Sequence, residues 1–323
     1  MKRSNLIATL LAAAVLTTMT FGDCGTCDAK PALVSGNGYS DLKDAKQAGA
    51  EAAAKAKAKL GKTDAKLVLV FDQVPANPEA KAQMLEGIGS VFDASIVYGC
   101  SSYAPITQDS NTGIVAVLAI GGDIEVVPAV ANLEGGHAGC GTRIGQSLKA
   151  GGVSQADGTL VMLFGSCHVN KNDALVKGVC GVLGEKFPVA GAAASKGEFV
   201  YYQGKVTKEK SNVGIAIKGD FKCSFAAGNA PGNDKEAVIA VAGKAAIQAV
   251  GDDKPLLTFA FDCGGRRGQM GGEIDRELAL IKGAIGDTPL FGFYGSGETG
   301  PKDNDSAPQG VGYHVFICVI SGK

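Results

Sequence analysis

What this chain of 323 residues lacks first is an excess of either charge: 31 basic side chains meet 32 acidic ones. With neither a basic surplus nor a dense basic stripe, it has no nucleic-acid-binding footprint. The apolar run near the start, Leu6 to Leu16, is shorter than the about 20 residues a helix needs to span a bilayer, and no second membrane segment follows it. Histidine is scarce. Of the three present, His168 adjoins Cys167, but no second spaced pair of ligands accompanies them, which argues against zinc. The glycines Gly264 and Gly265 are not followed by Lys-Ser or Lys-Thr, so their turn is not a P-loop. Nor does a linker of Pro, Gly and Ser divide the chain.

What is present is a composition that is 46% hydrophobic, enough to bury a sizeable core. Lys2 and Arg3, the run Leu6 to Leu16, and the small residues Thr20 and Gly22 have the shape of a secretory signal peptide over residues 1–22. The expectation is an exported protein, periplasmic or extracellular, with no membrane attachment after cleavage. Removing Lys2 and Arg3 leaves 29 basic against 32 acidic groups. Residues 23–38 carry Gly, Pro and Asp without a period and read as a flexible leader containing the C-x-x-C of Cys24 and Cys27, which suits a local bridge. Nine cysteines is an odd number, so at least one thiol stays unpaired, and connectivity does not follow from spacing. Cys180 and Cys318 lie in apolar runs and read as small core residues.

The ordered part repeats itself. Ser40 can cap an alanine-rich helix, Asp41 to Leu60, stopped by Gly61. An unbroken apolar strand follows at Leu67–Phe71, then a helix from about Pro78 to Phe92, a strand from Ser95 to Gly99, and two closing strands, Ile114–Ile120 and Asp123–Val130. The same order recurs with strands at Leu160–Phe164 and Pro188–Gly191, an inserted hairpin around Gln203 and Gly204, and strands at Val213–Ile217 and Phe221–Ala226. A third pass has strands at Leu257–Phe261 and Pro289–Phe293, with Val315–Ile320 last. The key strand ends on Phe71, Phe164 and Phe261, and the second strand carries Gly99, Gly191 and Gly292. Three coincident anchors indicate an internal repeat. Apolar strands flanked by helices predict an α/β fold of mixed sheets, built from three related helix-strand-helix-strand-strand units, with the close third and fourth strands paired antiparallel.

The third unit carries the chemistry. Leu256–Gly268 begins as a buried strand and ends as Asp-Cys-Gly-Gly-Arg-Arg-Gly. Strand ends facing helix starts are where α/β sheets commonly bind ligands. Cys263, Gly264, Gly265 and Arg266 form a turn in which Arg266 either clamps a carboxylate or closes a salt bridge. Tyr294, Ser296 and Glu298 end the neighbouring strand, so both turns can open on one rim; Glu298 either accepts an ammonium or neutralises Arg266. The alternative is a thiol hydrolase or transferase in which His314 activates Cys263.

These residues resemble the FIST family of sensory modules. The stretch Val97-Tyr98-Gly99-Cys100-Ser101-Ser102 with Gly113–Ile120 is similar to its amino-terminal domain. Phe261-Asp262-Cys263-Gly264-Gly265-Arg266, Pro289 to Glu298, and His314 are similar to its carboxy-terminal domain. The resemblance implies an N-terminal domain over 39–230, containing two units, and a C-terminal domain over 231–323. It implies a small-molecule sensor with an amino acid as ligand, and adds Cys100 and Ser101 to the ligand site; together with the reading of Arg266, the expectation is an amino acid or small carboxylate, an unidentified signalling partner and no cofactor. Two features depart from the family: the export signal, and Tyr103-Ala104-Pro105 where a Gly-Glu like Gly297-Glu298 is usual. The remaining class is a protein-interaction scaffold.

Overall fold

Alanine spacing explains how the first unit packs. In a computed structural model, which describes residues 32–322 except 155, 167–168, 196–197, 230–234 and 271–273, α1 (Ala45–Leu60) lies over the strand before it, β1 (Val34–Ser40). Its buried face is Ala45, Ala48, Gly49, Ala52, Ala53 and Ala56, and the strand presents Gly36 and Gly38 to it. A Cβ on Gly36 would stand 2.3 Å from the Leu60 nitrogen, so helix and strand touch backbone to backbone. The helix cap is Asp44, which accepts from the Gln47 N–H, and not Ser40. Ser40 instead ends β1 and donates to Glu51. Residues 34–38, expected within the leader, therefore belong to the sheet; the signal segment, Cys24, Cys27, Cys167 and His168 lie outside the described residues.

The unit continues with β2 (Ala65–Asp72), α2 (Pro78–Gly89), β3 (Val97–Ser101), β4 (Ala104–Thr107) and β5 (Val115–Gly121). The second comprises β6 (Ile124–Asn132), α3 (Gly136–Ala150), β7 (Thr159–Gly165), α4 (Val169–Leu183), β8 (Val189–Ala193), the hairpin β9 (Val200–Tyr202) and β10 (Lys205–Val206), and β11 (Ser211–Gly219). The third has β12 (Lys222–Asn229), α5 (Lys235–Gln248), β13 (Lys254–Cys263), α6 (Gly264–Met270), α7 (Ile274–Ile285), β14 (Leu290–Gly295), β15 (Glu298–Gly300), β16 (Gln309–Val311) and β17 (His314–Gly322). Each unit builds one mixed sheet around a parallel pair: β2 with β3, β7 with β8, β13 with β14.

The edges of these sheets are exchanged in a ring. The sheet orders are β1-β5-β2-β3-β9-β10, then β16-β15-β8-β7-β11-β6, then β12-β17-β13-β14-β4. Thus β9 of the second unit completes the first sheet, β15 of the third completes the second, and β4 of the first completes the third. This corrects the expected pairing of the third and fourth strands. β5 pairs with β1 and β2, while β6 pairs with β11 in the next sheet, so the short link between β5 and β6 is a crossing point and not a hairpin. Closure by exchange covers edge strands that would otherwise offer unpaired backbone groups. Residues Pro31–Lys323 accordingly form one compact unit.

The three sheets face inward on a shared core to which, among the described residues, no helix contributes, and each packs its outer face on its own helices. The repeated phenylalanines meet at that centre. The Phe71 ring lies 5.2 Å from Phe164 and 4.2 Å from Phe293, and Phe164 lies 6.2 Å from Phe261. Full burial of each is worth roughly 1.5–3 kcal/mol. The repeated glycines have a different cause. A Cβ on Gly99 would stand 1.9 Å from the Val70 carbonyl oxygen, and one on Gly191 2.0 Å from that of Leu163, with φ of 151° and 154°. Only glycine fits the parallel pair there.

Candidate functional site

The apolar run of β13 ends on Asp262 and Cys263, and α6 begins at once, so two charged turns are set beside the end of β14. Arg266 is 2% exposed. Its Nε donates to Asp262 Oδ1 at 2.9 Å, and Nη2 lies 3.4 Å from Glu277 Oε1, which α7 supplies. The Tyr294 hydroxyl donates to Glu277 Oε2 at 2.6 Å, and Asn111 Nδ2 donates to that hydroxyl at 3.2 Å. Burial first, then the neighbouring Glu277 carboxylate, drive the Asp262 pKa well up against the opposing pull of Arg266. The network ties the strand end to both helices and to the loop after β4.

Glu298, the first residue of β15, is buried on the other side of the same turn. Its Oε2 accepts from the His314 N–H at 3.1 Å, while Oε1 has no partner within hydrogen-bond geometry. Burial pushes its pKa up to about 8; the His314 backbone, the adjoining Cys263 thiol and the Arg266 charge pull less strongly downward. Burial also pushes the Cys263 thiol up to about 11, and the Glu298 charge adds to it. Two tyrosines cover the turn. A Cβ on Gly264 would collide with the Tyr103 ring at 2.2 Å, and one on Gly265 would stand 3.0 Å from the Tyr313 ring. Tyr313 is 53% exposed and holds a φ of 60°, an unusual conformation for a bulky residue. A cleft of about 690 Å³ between Thr159, Pro188 and Lys222 sits at the opposite ends of β7 and β8. Asp157, Lys186, Asp220 and Lys222 line it from exposed positions.

The first unit has a related but closed arrangement. Asp72 follows Phe71 as Asp262 follows Phe261, and here Lys81 of α2 is the counter-charge, 2.5 Å away with both side chains fully buried. The Tyr201 hydroxyl, from the exchanged strand β9, donates to the other carboxylate oxygen at 2.5 Å. Burial, the largest influence, raises the Asp72 pKa despite Lys81.

Of the residues expected from sequence, Cys263, Gly264, Gly265, Glu298 and His314 come together at this turn. Arg266 lies beneath it, engaged by Asp262 and Glu277. Tyr294 points to Glu277, and the Ser296 hydroxyl lies 3.4 Å from that of Tyr103. The His314 ring meets the Gly312 carbonyl through Nδ1 at 2.7 Å, so its link to the site is the backbone N–H. Cys100 and Ser101 are buried at the end of β3, where the Ser101 hydroxyl donates to the Ser195 carbonyl at 2.6 Å. Sequence reasoning gave no role to Asp262 or Tyr103 and missed Glu277, Asn111, Tyr313 and the Lys81 and Tyr201 partners of the strand-end residue Asp72. One signal was available: the Phe-Asp dipeptide at the same place in two repeats. Glu277 and Asn111 carried none, because only the exchange of β4 and the docking of α7 bring them in.

The chain matches the FIST N domain over residues 66–245 and the FIST C domain over residues 232–301. No protein of curated function matches it by sequence. In structure it is similar to a cyanuric acid hydrolase from A. caulinodans, with a TM-score of 0.51 over 90% of this chain and 99% of that one. At 9% identity, that likeness is one of fold alone.

Proposed function

Because the chain belongs to the FIST family, whose domains are sensory modules for small ligands, we propose that it is an exported sensor whose ligand, an amino acid, binds at the turn between Cys263 and Glu298. The observation that carries this reading is the Glu298 carboxyl, wholly buried yet with one oxygen lacking a partner. Buried polar groups are normally satisfied, and an exception at a strand end suits a ligand group. Around it, Asp262, Glu277 and Glu298 face one buried cation, Arg266. A site with more acids than bases favours an arriving ammonium, and Arg266, already held by two carboxylates, is a poor clamp for a simple carboxylate. Tyr313 and Tyr103 form the cover the ligand must displace. Export rests on the Lys2–Arg3 and Leu6–Leu16 pattern.

A thiol enzyme fits less well. Its nucleophile would be a buried Cys263 with pKa about 11 beside a carboxyl, the reverse of an activated thiolate. The likeness to a hydrolase does not change this, since fold does not imply function.

The test is a thermal-shift panel of amino acids, amines and small carboxylates on the chain lacking residues 1–22. Amino acids should raise the melting temperature, because a ligand of the native state must stabilise it. The ammonium replaces a proton on Glu298, so affinity should rise with pH up to about 8 and level off above it. Glu298→Gln should abolish the response. Stabilisation by carboxylates alone, no stabilisation by any compound, or an unaltered response in Glu298→Gln would each reject the assignment.

A further inference from the structure

The third unit opens and closes on two thiols that the ligand turn does not use. Cys223 stands at the start of β12 and Cys318 in the middle of β17, and the strands run antiparallel with Cys223 opposite Ile320 and Phe225 opposite Cys318. The cysteines are diagonal neighbours. Both belong to the inward face: Cys318 is part of the shared core and Cys223 packs against it. The Phe225 N–H points away from β17, to Asn304 Oδ1 at 2.7 Å, so Phe225 and Cys223 hold the positions where side chains of facing strands come closest. Strand twist draws one diagonal of such positions together, and here the Cys318 thiol is in hydrogen-bond contact with that of Cys223. Other buried thiols meet other groups, Asn212 in the case of Cys140 and Glu298 in that of Cys263.

Access differs between the two. Cys318 is only 1% exposed. Cys223 is half-buried and lines the cleft of about 690 Å³ beside Thr159, Pro188 and Lys222. A small molecule in the cleft meets one thiol of the pair and not the other. In addition, β12 is the outer strand of its sheet, so the small movements that bring two sulfurs to bonding distance disturb no second ladder.

We propose that Cys223 and Cys318 form a reversible disulfide by exchange with a small-molecule disulfide that enters this cleft. The Cys223 thiolate attacks one sulfur of the reagent, and a mixed disulfide forms as the reagent's own S–S bond breaks. The departing sulfur takes up the proton that Cys223 gave up. Cys318 then loses its proton and attacks Cys223 Sγ, displacing the second reagent sulfur, which takes up that proton in turn. The protein has lost two electrons and two protons, and the reagent has become two thiols. Burial and the neighbouring Cys223 hold the Cys318 pKa well up. Capping Cys223 in the first step removes the second of these influences, which fits an order with Cys223 first. The bond joins the first strand of the third unit to its last and closes a covalent loop that contains β13, β14 and the Glu298 turn.

The probe is oxidised glutathione, added to the reduced, native full chain. After quenching with maleimide, the protein is digested without reduction and its peptides are mapped by mass spectrometry. A cross-linked pair joining Cys223 to Cys318 should appear, two hydrogens lighter than the reduced peptides and reversed by dithiothreitol. It should exceed glutathione-capped Cys223 at least about tenfold, because the second thiol is already in contact. In Cys318→Ala the capped Cys223 should accumulate instead; the wild-type map decides even where that variant does not fold. Capped Cys223 that persists without the cross-link, both thiols left unoxidised, or Cys223 joined to Cys24, Cys27 or another cysteine would overturn the proposal. The readout is thiol chemistry away from the ligand turn, so its failure leaves the Glu298 reading standing, and the converse holds.

Discussion

Replacing Glu298 by glutamine should make the protein more resistant to alkali. The folded carboxyl titrates at about 8 against an ordinary value of 4.5. That difference of roughly 3.5 units corresponds to about 5 kcal/mol opposing ionisation in the folded state. Below pH 4.5 the group is protonated in both states and has no effect. As pH rises, the unfolded chain releases its proton first while the folded one keeps it, so stability falls by about 1.4 kcal/mol per unit until the folded group also titrates. Between pH 5 and 9 the wild type should lose about 4 kcal/mol from this residue alone. Glutamine keeps an oxygen for the His314 N–H and has no charge to bury. Urea unfolding of both proteins across that range is the assay. The variant's advantage should grow with pH and reach a plateau above about 8. A difference that stays constant from pH 5 to 9 would refute the buried, proton-holding carboxyl on which the ligand assignment rests.

Two further outcomes follow from the buried clusters. Lys81→Met leaves Asp72 without its counter-charge in a site closed to water, and should cost about 3–5 kcal/mol by urea unfolding; the double variant with Asp72→Asn should recover much of that loss. Cys263, with a pKa of about 11, should react with iodoacetamide at pH 8 about two orders of magnitude more slowly in the native protein than in urea. Mass spectrometry of the labelled peptide measures both rates, and fast native alkylation would restore the thiol-enzyme reading.

The arrangement of unlike strand ends in a ring suggests how such a module diversifies. Two ends carry a carboxylate neutralised from within, by Lys81 and by Arg266, and each neutralising side chain comes from the helix that follows the strand. Such buried pairs fix geometry more than they add stability. Among the buried groups left unsatisfied, Glu298 Oε1 lies on the exchanged strand β15 and Asn212 Oδ1 on β11, the strand beside β7. Binding chemistry can then change by substitution in one unit while the other two hold the fold.

How far the sequence reaches can be judged residue by residue. By itself it determined the α/β class, the threefold repeat and most elements, because each rests on a local cause: unbroken apolar runs for Leu67–Phe71, Leu160–Phe164 and Leu257–Phe261, alanine periodicity for α1, and close-approach glycines at Gly99, Gly191 and Gly292. It also marked the Cys263–Gly264–Gly265 turn and Glu298. Tertiary structure alone decided that β4, β9 and β15 leave their own units, since pairing partners are chosen by long-range geometry that no local pattern encodes. It decided too that Arg266 faces Asp262 and Glu277, and that Glu298 is left with a free oxygen. Charge pairing inside a core depends on which side chains the closed ring of sheets brings within a few ångströms, and desolvation there sets both the partners and the pKa values.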